Sequence, residues 1–319
     1  MIVQMHHVPN GHPYHADRTY VKGRERRSRK TESRKQSEWV FRLFWLLTSG
    51  FCDIYFPLMS TLKLFAGHFG LQPQGASRQS LGEIVSAFSR LPYENITKII
   101  KRAEFGTPEK ARRYPEEVVR DHISWGAGGT CFSLTAALLH LVRSLGFQAE
   151  YILADRRYGQ DTHCALLVWL DGVPHLLDPG FLIVDPVPLV RGAERVIETG
   201  FNRLGLAREG SEGRIALTTL RQGSKTYRLT YKTLPVDDGQ FQKAWDASFD
   251  WEMMQYPLLT RVAAAGQIYL RGSRLQFSRA DSVESRELRG DDLVSGISAE
   301  FGIDKSVVAR AISILKRGG

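Results

Sequence analysis

The chain has 319 residues, 43% of them hydrophobic and 24% charged, a balance that suits a folded protein with a sizeable core and excludes disordered and collagen-like classes. Its formal net charge is +9, but residues 1–36 hold nine Lys/Arg against three Asp/Glu, which leaves +3 for the remainder. Positive charge confined to one tail argues against a nucleic-acid partner. The three cysteines, Cys52, Cys131 and Cys164, make no disulfide framework and no zinc spacing, so a reducing cytoplasm and the absence of a metal are expected.

Residues 1–58 read as a basic, disordered extension. Within it, Trp39–Leu58 is apolar but interrupted by Arg42 and Asp53, and its longest apolar run, Leu43–Leu47, falls far short of the ~20 residues a membrane span needs. Residues 59–147 are expected to form a helical domain. Leu81, Ile84, Val85, Phe88, Ile96, Ile99 and Ile100 fit helices broken at Pro92, and Pro115–Ile123 fits another, with Glu116 and Glu117 at its positive end. Gly126-Ala127-Gly128-Gly129 reads as a flexible turn. A buried helix then runs from Cys131 towards Leu145, with Gly146 as its stop.

From Gln148 the texture becomes strand-like. Ala149–Ala154, Cys164–Leu170, Val173–Asp178, Ile215–Leu220 and Tyr227–Lys232 predict a central antiparallel sheet or barrel over residues 148–232. Gln267–Leu270 and Leu275–Ser278, followed by helices at Asp291–Phe301 and Lys305–Leu315, predict a smaller C-terminal α/β unit over 233–319. The whole is an α+β architecture.

Cys131 is the candidate nucleophile. At the start of a helix and after a glycine turn, its thiolate is favoured by the helix dipole, and backbone N–H groups nearby are candidate oxyanion donors. The Asp171-Gly172 hairpin selects its partners. With Leu170 opposite Val173, cross-strand numbers sum to 343, so His163 faces Gly180 and lies diagonal to Asp178 on one side of the sheet. His175, offset from Asp178 by an odd number, points to the other side. A Cys131, His163 and Asp178 set suits covalent acyl transfer.

At these residues the sequence resembles the arylamine N-acetyltransferase family. The resemblance rests on Leu91-Pro92-Tyr93-Glu94-Asn95-Ile96, Gly128-Gly129-Thr130-Cys131-Phe132, Thr162-His163-Cys164-Ala165-Leu166-Leu167-Val168 and Asp178-Pro179-Gly180-Phe181, in the family's order. It implies a helical bundle, a β-barrel and an α/β lid around a papain-like triad core. It further implies acetyl-CoA as the acyl-donor substrate, no resident cofactor, and a small arylamine or hydrazine as acceptor. Cys131 would be nucleophile, His163 base and Asp178 its orienting carboxylate, with Gly128, Gly129, Thr130, Phe132 and Phe181 lining the substrate and oxyanion region. Two positions depart from the family pattern: Ala127 stands where an arginine is usual, and Ser133 where an acidic or amide residue is usual. An amide synthase using another acyl thioester, a transglutaminase- or papain-like hydrolase, and a silent binding relic are the competing readings.

Overall fold

The computed structural model describes residues 60–318 apart from 182, 190–193, 199–202, 211–212, 222–223, 264–265 and 280–281. The basic extension, its Trp39–Leu58 segment and Cys52 lie outside the described residues.

The chain starts with helices α1 (Thr61–Phe69) and α2 (Arg78–Phe88), a two-residue strand β1 (Tyr93–Glu94), α3 (Ile96–Phe105), α4 (Pro108–Ala111) and α5 (Pro115–Trp125). Pro92 breaks the helical run as expected, because proline removes a backbone donor and biases the residue before it towards extended backbone. Pro115 opens α5, where its missing N–H costs nothing, and Gly126 closes it in the left-handed region at φ 67°. Helix α6 (Cys131–Ser144) follows; eleven of its fourteen residues are buried, which matches its nearly all-round apolar sequence.

An eight-stranded antiparallel sheet comes next. Its strands are β2 (Ala149–Arg156), β3 (Gly159–Leu170), β4 (Val173–Asp178), β5 (Ile183–Pro188), β6 (Arg195–Glu198), β7 (Arg203–Arg208), β8 (Arg214–Arg221) and β9 (Ser224–Lys232). They lie in the order β5-β4-β3-β2-β9-β8-β7-β6. The expected barrel is therefore corrected to a curled half-barrel that does not close among the described residues. Closure would require β5 to pair with β6, and β5 carries Pro186 and Pro188, which have no N–H to donate and suit an edge strand. The β3–β4 register is the predicted one, with Leu170 opposite Val173 and Leu166 opposite Leu177. Asp171 and Gly172 both take positive φ, 52° and 75°, as a two-residue turn that continues the strand twist requires. The inner face packs Ile152, Ala154, Ala165, Leu167, Leu176, Phe181 and Tyr231 into one apolar cluster.

After helix α7 (Asp238–Ala247) and two short 3₁₀ turns, strands β10 (Leu258–Ala263), β11 (Gly266–Arg271), β12 (Arg274–Ser278) and β13 (Val283–Glu287) form a second antiparallel sheet. Helices α8 (Asp291–Phe301) and α9 (Lys305–Gly318) end the chain. This sheet is completed by β1, which pairs with β10, and its core joins Ile96 and Ile100 of α3 to Leu259, Leu270, Phe301 and Ile312. Asn95 ties the same seam: its amide donates to the Met253 and Tyr256 carbonyls, and its oxygen accepts the Leu258 N–H at 2.8 Å.

Candidate active site

The site forms where α6 begins and the inner face of the half-barrel ends. Residues 127–130 are not a flexible turn. Gly129 makes a parallel bridge to Tyr93, accepting from the Glu94 N–H at 2.9 Å. A Cβ on Gly128 would lie 1.8 Å from the Pro92 carbonyl oxygen, and one on Gly129 would lie 2.2 Å from Ser133 Oγ. Glycine is needed here for close approach, with no demand for positive φ. Beneath the turn, buried Arg113 donates from Nη1 to the Gly128 carbonyl and to Thr97 Oγ1, both at 2.6 Å, and from Nη2 to Asp121 at 2.6 Å. Glu94, fully buried, is its second carboxylate neighbour at 3.5 Å. A guanidinium thus reaches the glycine segment from position 113, while Ala127 is itself buried. Ser133, the other departure, turns inward and donates to the Thr130 carbonyl at 3.1 Å.

Thr130 is the N-cap of α6, and the first intrahelical bond runs from the Leu134 N–H to the Thr130 carbonyl at 2.9 Å. The N–H groups of Cys131, Phe132 and Ser133 precede it, which makes this helix start a region of positive potential beside the thiol.

The three predicted residues meet. His163 Nε2 lies 2.7 Å from Asp178 Oδ2, with both side chains wholly buried. A Cβ on Gly180 would sit 2.7 Å from His163 Cε1, 3.1 Å from Cys131 Cβ and 3.2 Å from Asp178 Oδ1, so one point touches all three. Asp178 is fixed from further sides: its Oδ1 accepts the Phe181 N–H at 3.0 Å and its Oδ2 accepts the Tyr231 hydroxyl at 2.6 Å. The Phe181 ring meets the imidazole edge-on at 5.2 Å. His175, by contrast, donates from Nδ1 to the Val173 carbonyl at 2.8 Å. Phe132 contributes its backbone at the helix start, while its ring packs with Phe241, Trp245 and Trp251.

Electrostatics separate the roles. Burial alone would lower the His163 pKa, but the charge and hydrogen bond of Asp178, helped by Cys131, raise it above the ordinary value. Burial works against ionised Asp178 in turn; the imidazole and the Tyr231 hydroxyl outweigh it and hold the carboxyl below its usual range. The Cys131 thiol is held well below its usual range by its hydrogen bond to Cys164 and by His163 and Arg156, against burial. Burial and the Cys131 charge push Cys164 the other way. Of the two thiols, Cys131 is therefore the more acidic.

Sequence reasoning missed Tyr231, Arg156, Arg113 and Lys98. Tyr231 pairs with Ala154, which pairs with His163, so a straight row across β9, β2 and β3 aims the phenol at the triad. The β2–β9 pairing is non-local, and no turn signal announces it. Arg156, at the end of β2, donates from Nη2 to His163 Nδ1 at 3.1 Å. Lys98 is buried, donates to the Ser248 carbonyl at 2.8 Å, and has its pKa lowered to about 7 by burial. Among the described residues no group of three or more His, Cys, Asp or Glu is arranged to hold a metal ion, and no helix is long and apolar enough to cross a membrane.

A family model described as N-acetyltransferase matches residues 79–309. The chain belongs to the arylamine N-acetyltransferase family and is an acetyltransferase enzyme. Solved structures agree in fold. A Mycobacterium smegmatis arylamine N-acetyltransferase superposes with a TM-score of 0.68 at 22% identity, over 81% of this chain and 99% of that one. The Mycobacterium marinum enzyme in complex with CoA gives 0.68 at 17% identity, over 80% and 98%. A Bacillus cereus arylamine N-acetyltransferase with a Cys-His-Glu catalytic triad gives 0.64 at 17% identity, over 77% and 100%. No curated protein sequence gives a significant match.

Proposed function

We propose that this enzyme moves an acetyl group from acetyl-CoA through a Cys131 thioester to an arylamine or hydrazine. The observation that carries the reading is the orientation of His163. Its Nε2 is committed to Asp178 at 2.7 Å, so that nitrogen carries the proton and Nδ1, which accepts from Arg156 at 3.1 Å, carries the basic lone pair. Nδ1 takes the Cys131 proton, and Asp178 stabilises the imidazolium. The thiolate attacks the acetyl carbonyl, and the N–H groups at the start of α6 supply donors for the oxyanion. Collapse expels CoA, whose sulfur takes the proton from His163. The amine then attacks the thioester, His163 accepts the amine proton, and the acetylated amine leaves as Cys131 is regenerated.

CoA is a substrate in this cycle, a reading supported by the CoA complex of the M. marinum neighbour. A reducing compartment suits the site, because two free thiols stand side by side in it. The test is intact-mass spectrometry after incubation with acetyl-CoA, peptide mapping, and a chase with an arylamine. An acetyl adduct on Cys131 that disappears as acetylated amine forms is the expected result. Folded protein with a reactive Cys131 and no adduct would remove acetyl-CoA as donor.

A further inference from the structure

Arg156 is a buried cation with no carboxylate partner among the described residues. It is 9% exposed, and among the described residues its side-chain hydrogen bonds go to the Tyr158 hydroxyl at 2.6 Å and to His163 Nδ1 at 3.1 Å, both neutral groups. The guanidinium lies 5.9 Å from the centre of the Tyr158 ring and 5.8 Å from that of Phe181, which compensates part of the charge. Neighbouring carboxylates are engaged elsewhere: Asp155 with Lys232 and Arg214, Asp161 with Lys232, and Asp178 with His163 and Tyr231. An arginine keeps its charge at any working pH, and leaving it buried without a counter-charge is costly.

We infer that the acyl group itself supplies the missing charge: the preferred donor is an acyl thioester whose acyl chain ends in a carboxylate held by Arg156. This inference rests on the acyl-transfer reading of Cys131 and narrows its donor. Arg156 is hydrogen-bonded to the His163 ring at 3.1 Å, and one point at Gly180 lies 2.7 Å from that ring's Cε1 and 3.1 Å from Cys131 Cβ, so a carboxylate a few bonds past the acyl carbonyl comes within its reach. The step balances as for acetyl. The thiolate forms the new C–S bond, the bond between the acyl carbon and the CoA sulfur breaks, and the CoA thiolate takes the proton from His163. The acyl carboxylate stays ionised and exchanges water for the guanidinium. Tyr158, 55% exposed, holds Arg156 from the solvent side.

The experiment compares single-turnover acylation of Cys131, read by quenched intact mass and peptide mapping, with malonyl-CoA, succinyl-CoA, acetyl-CoA and acetoacetyl-CoA. Acetoacetyl is the neutral shape match for malonyl. Wild-type enzyme is expected to acylate from malonyl-CoA or succinyl-CoA about tenfold or more faster than from acetoacetyl-CoA, the range of one charge-assisted hydrogen bond. In Arg156→Gln the ratio of malonyl to acetoacetyl rate should fall to about one, and in Arg156→Lys to an intermediate value. The ratio within one protein cancels any change in thiol reactivity. Adducts from acetyl-CoA with no preference for either carboxylated donor in the wild type would overturn the inference and leave the acyl-transfer reading standing, whether or not the variants fold. A ratio unchanged in a folded Arg156→Gln would overturn Arg156 as its origin. Absence of adduct from every donor overturns the acyl-transfer reading and this inference with it.

Discussion

Asp178→Asn changes one atom and should cost nearly all of the activity, and the contacts of Asp178 say why. The Phe181 N–H donates to Oδ1 at 3.0 Å, so an asparagine must place its carbonyl oxygen there. Its NH₂ group then occupies the Oδ2 position, 2.7 Å from His163 Nε2. A donor at that point forces Nε2 to accept, which moves the imidazole proton to Nδ1. Arg156 Nη2 already donates to Nδ1 across 3.1 Å, so two donors would face each other while Cys131 loses its base. The imidazolium also loses the one carboxylate bonded to it. Breaking a buried pair costs about 3–5 kcal/mol, and the wrong tautomer costs about 10⁴ in kcat in the serine-protease triad; together they bracket a loss on the order of 10² to 10⁴ in acylation rate. The assay is single-turnover acetylation of Cys131 beside the pH dependence of its alkylation by iodoacetamide. Acylation should fall by that factor, and the alkylation midpoint should move up towards that of an ordinary thiol. An Asp178→Asn enzyme within tenfold of wild type, with an unmoved midpoint, would refute the assignment of Nδ1 as the base.

Other outcomes follow from the same contacts. Cys131→Ala should abolish acyl transfer, whereas Cys164→Ala should keep most of it while its alkylation midpoint moves up, because the Cys164 hydrogen bond is the largest influence lowering the Cys131 pKa; equal loss in both would undo the choice of nucleophile. Arg113→Met strands Glu94 and Asp121 in the interior and should lower unfolding free energy by about 3–5 kcal/mol in urea titrations, with part of that recovered in the Arg113→Met, Glu94→Gln double variant. Lys98 has a folded pKa of about 7, below its unfolded value, so between about pH 7 and 10 the unfolded chain binds the extra proton and stability rises with pH. The stability of wild type relative to Lys98→Met should therefore increase across that window by up to about 1.4 kcal/mol per pH unit, and a difference that stays flat with pH would show that the buried amine does not titrate there.

What was legible in the sequence is what local rules control. The Asp171-Gly172 turn sets its own geometry, the turn sets the register, and the register puts His163 and Asp178 on one face; each step needs only neighbours in the chain, and the observed pairing of Leu170 with Val173 and of Leu166 with Leu177 carries the same register. Cys131 was legible for a similar reason, since a helix start after close-packed glycines is a local pattern. The strands β5, β6 and β7 were not read: β5 carries two prolines and β6 is largely exposed, so neither shows the alternation that marks a half-buried strand. The barrel that the family resemblance implies stays open because β5 and β6 remain edges, and no local pattern announces which strands do.

The residues that complete the site were illegible because their partners are distant in sequence. Tyr231 reaches Asp178 across 53 positions and Arg113 reaches Gly128 across 15, and in neither case does a motif link the two. Arg113 is the more instructive. Judged by position, Ala127 looked like the loss of a charged residue beside the nucleophile. The structure places a guanidinium at the Gly128 carbonyl all the same, delivered from the segment between α4 and α5 and neutralised there by Glu94 and Asp121. A planar fork of donors can enter from any direction that offers it acceptors and counter-charge. A departure from a family's pattern at one position thus removes a residue from the sequence motif without removing its charge from the site.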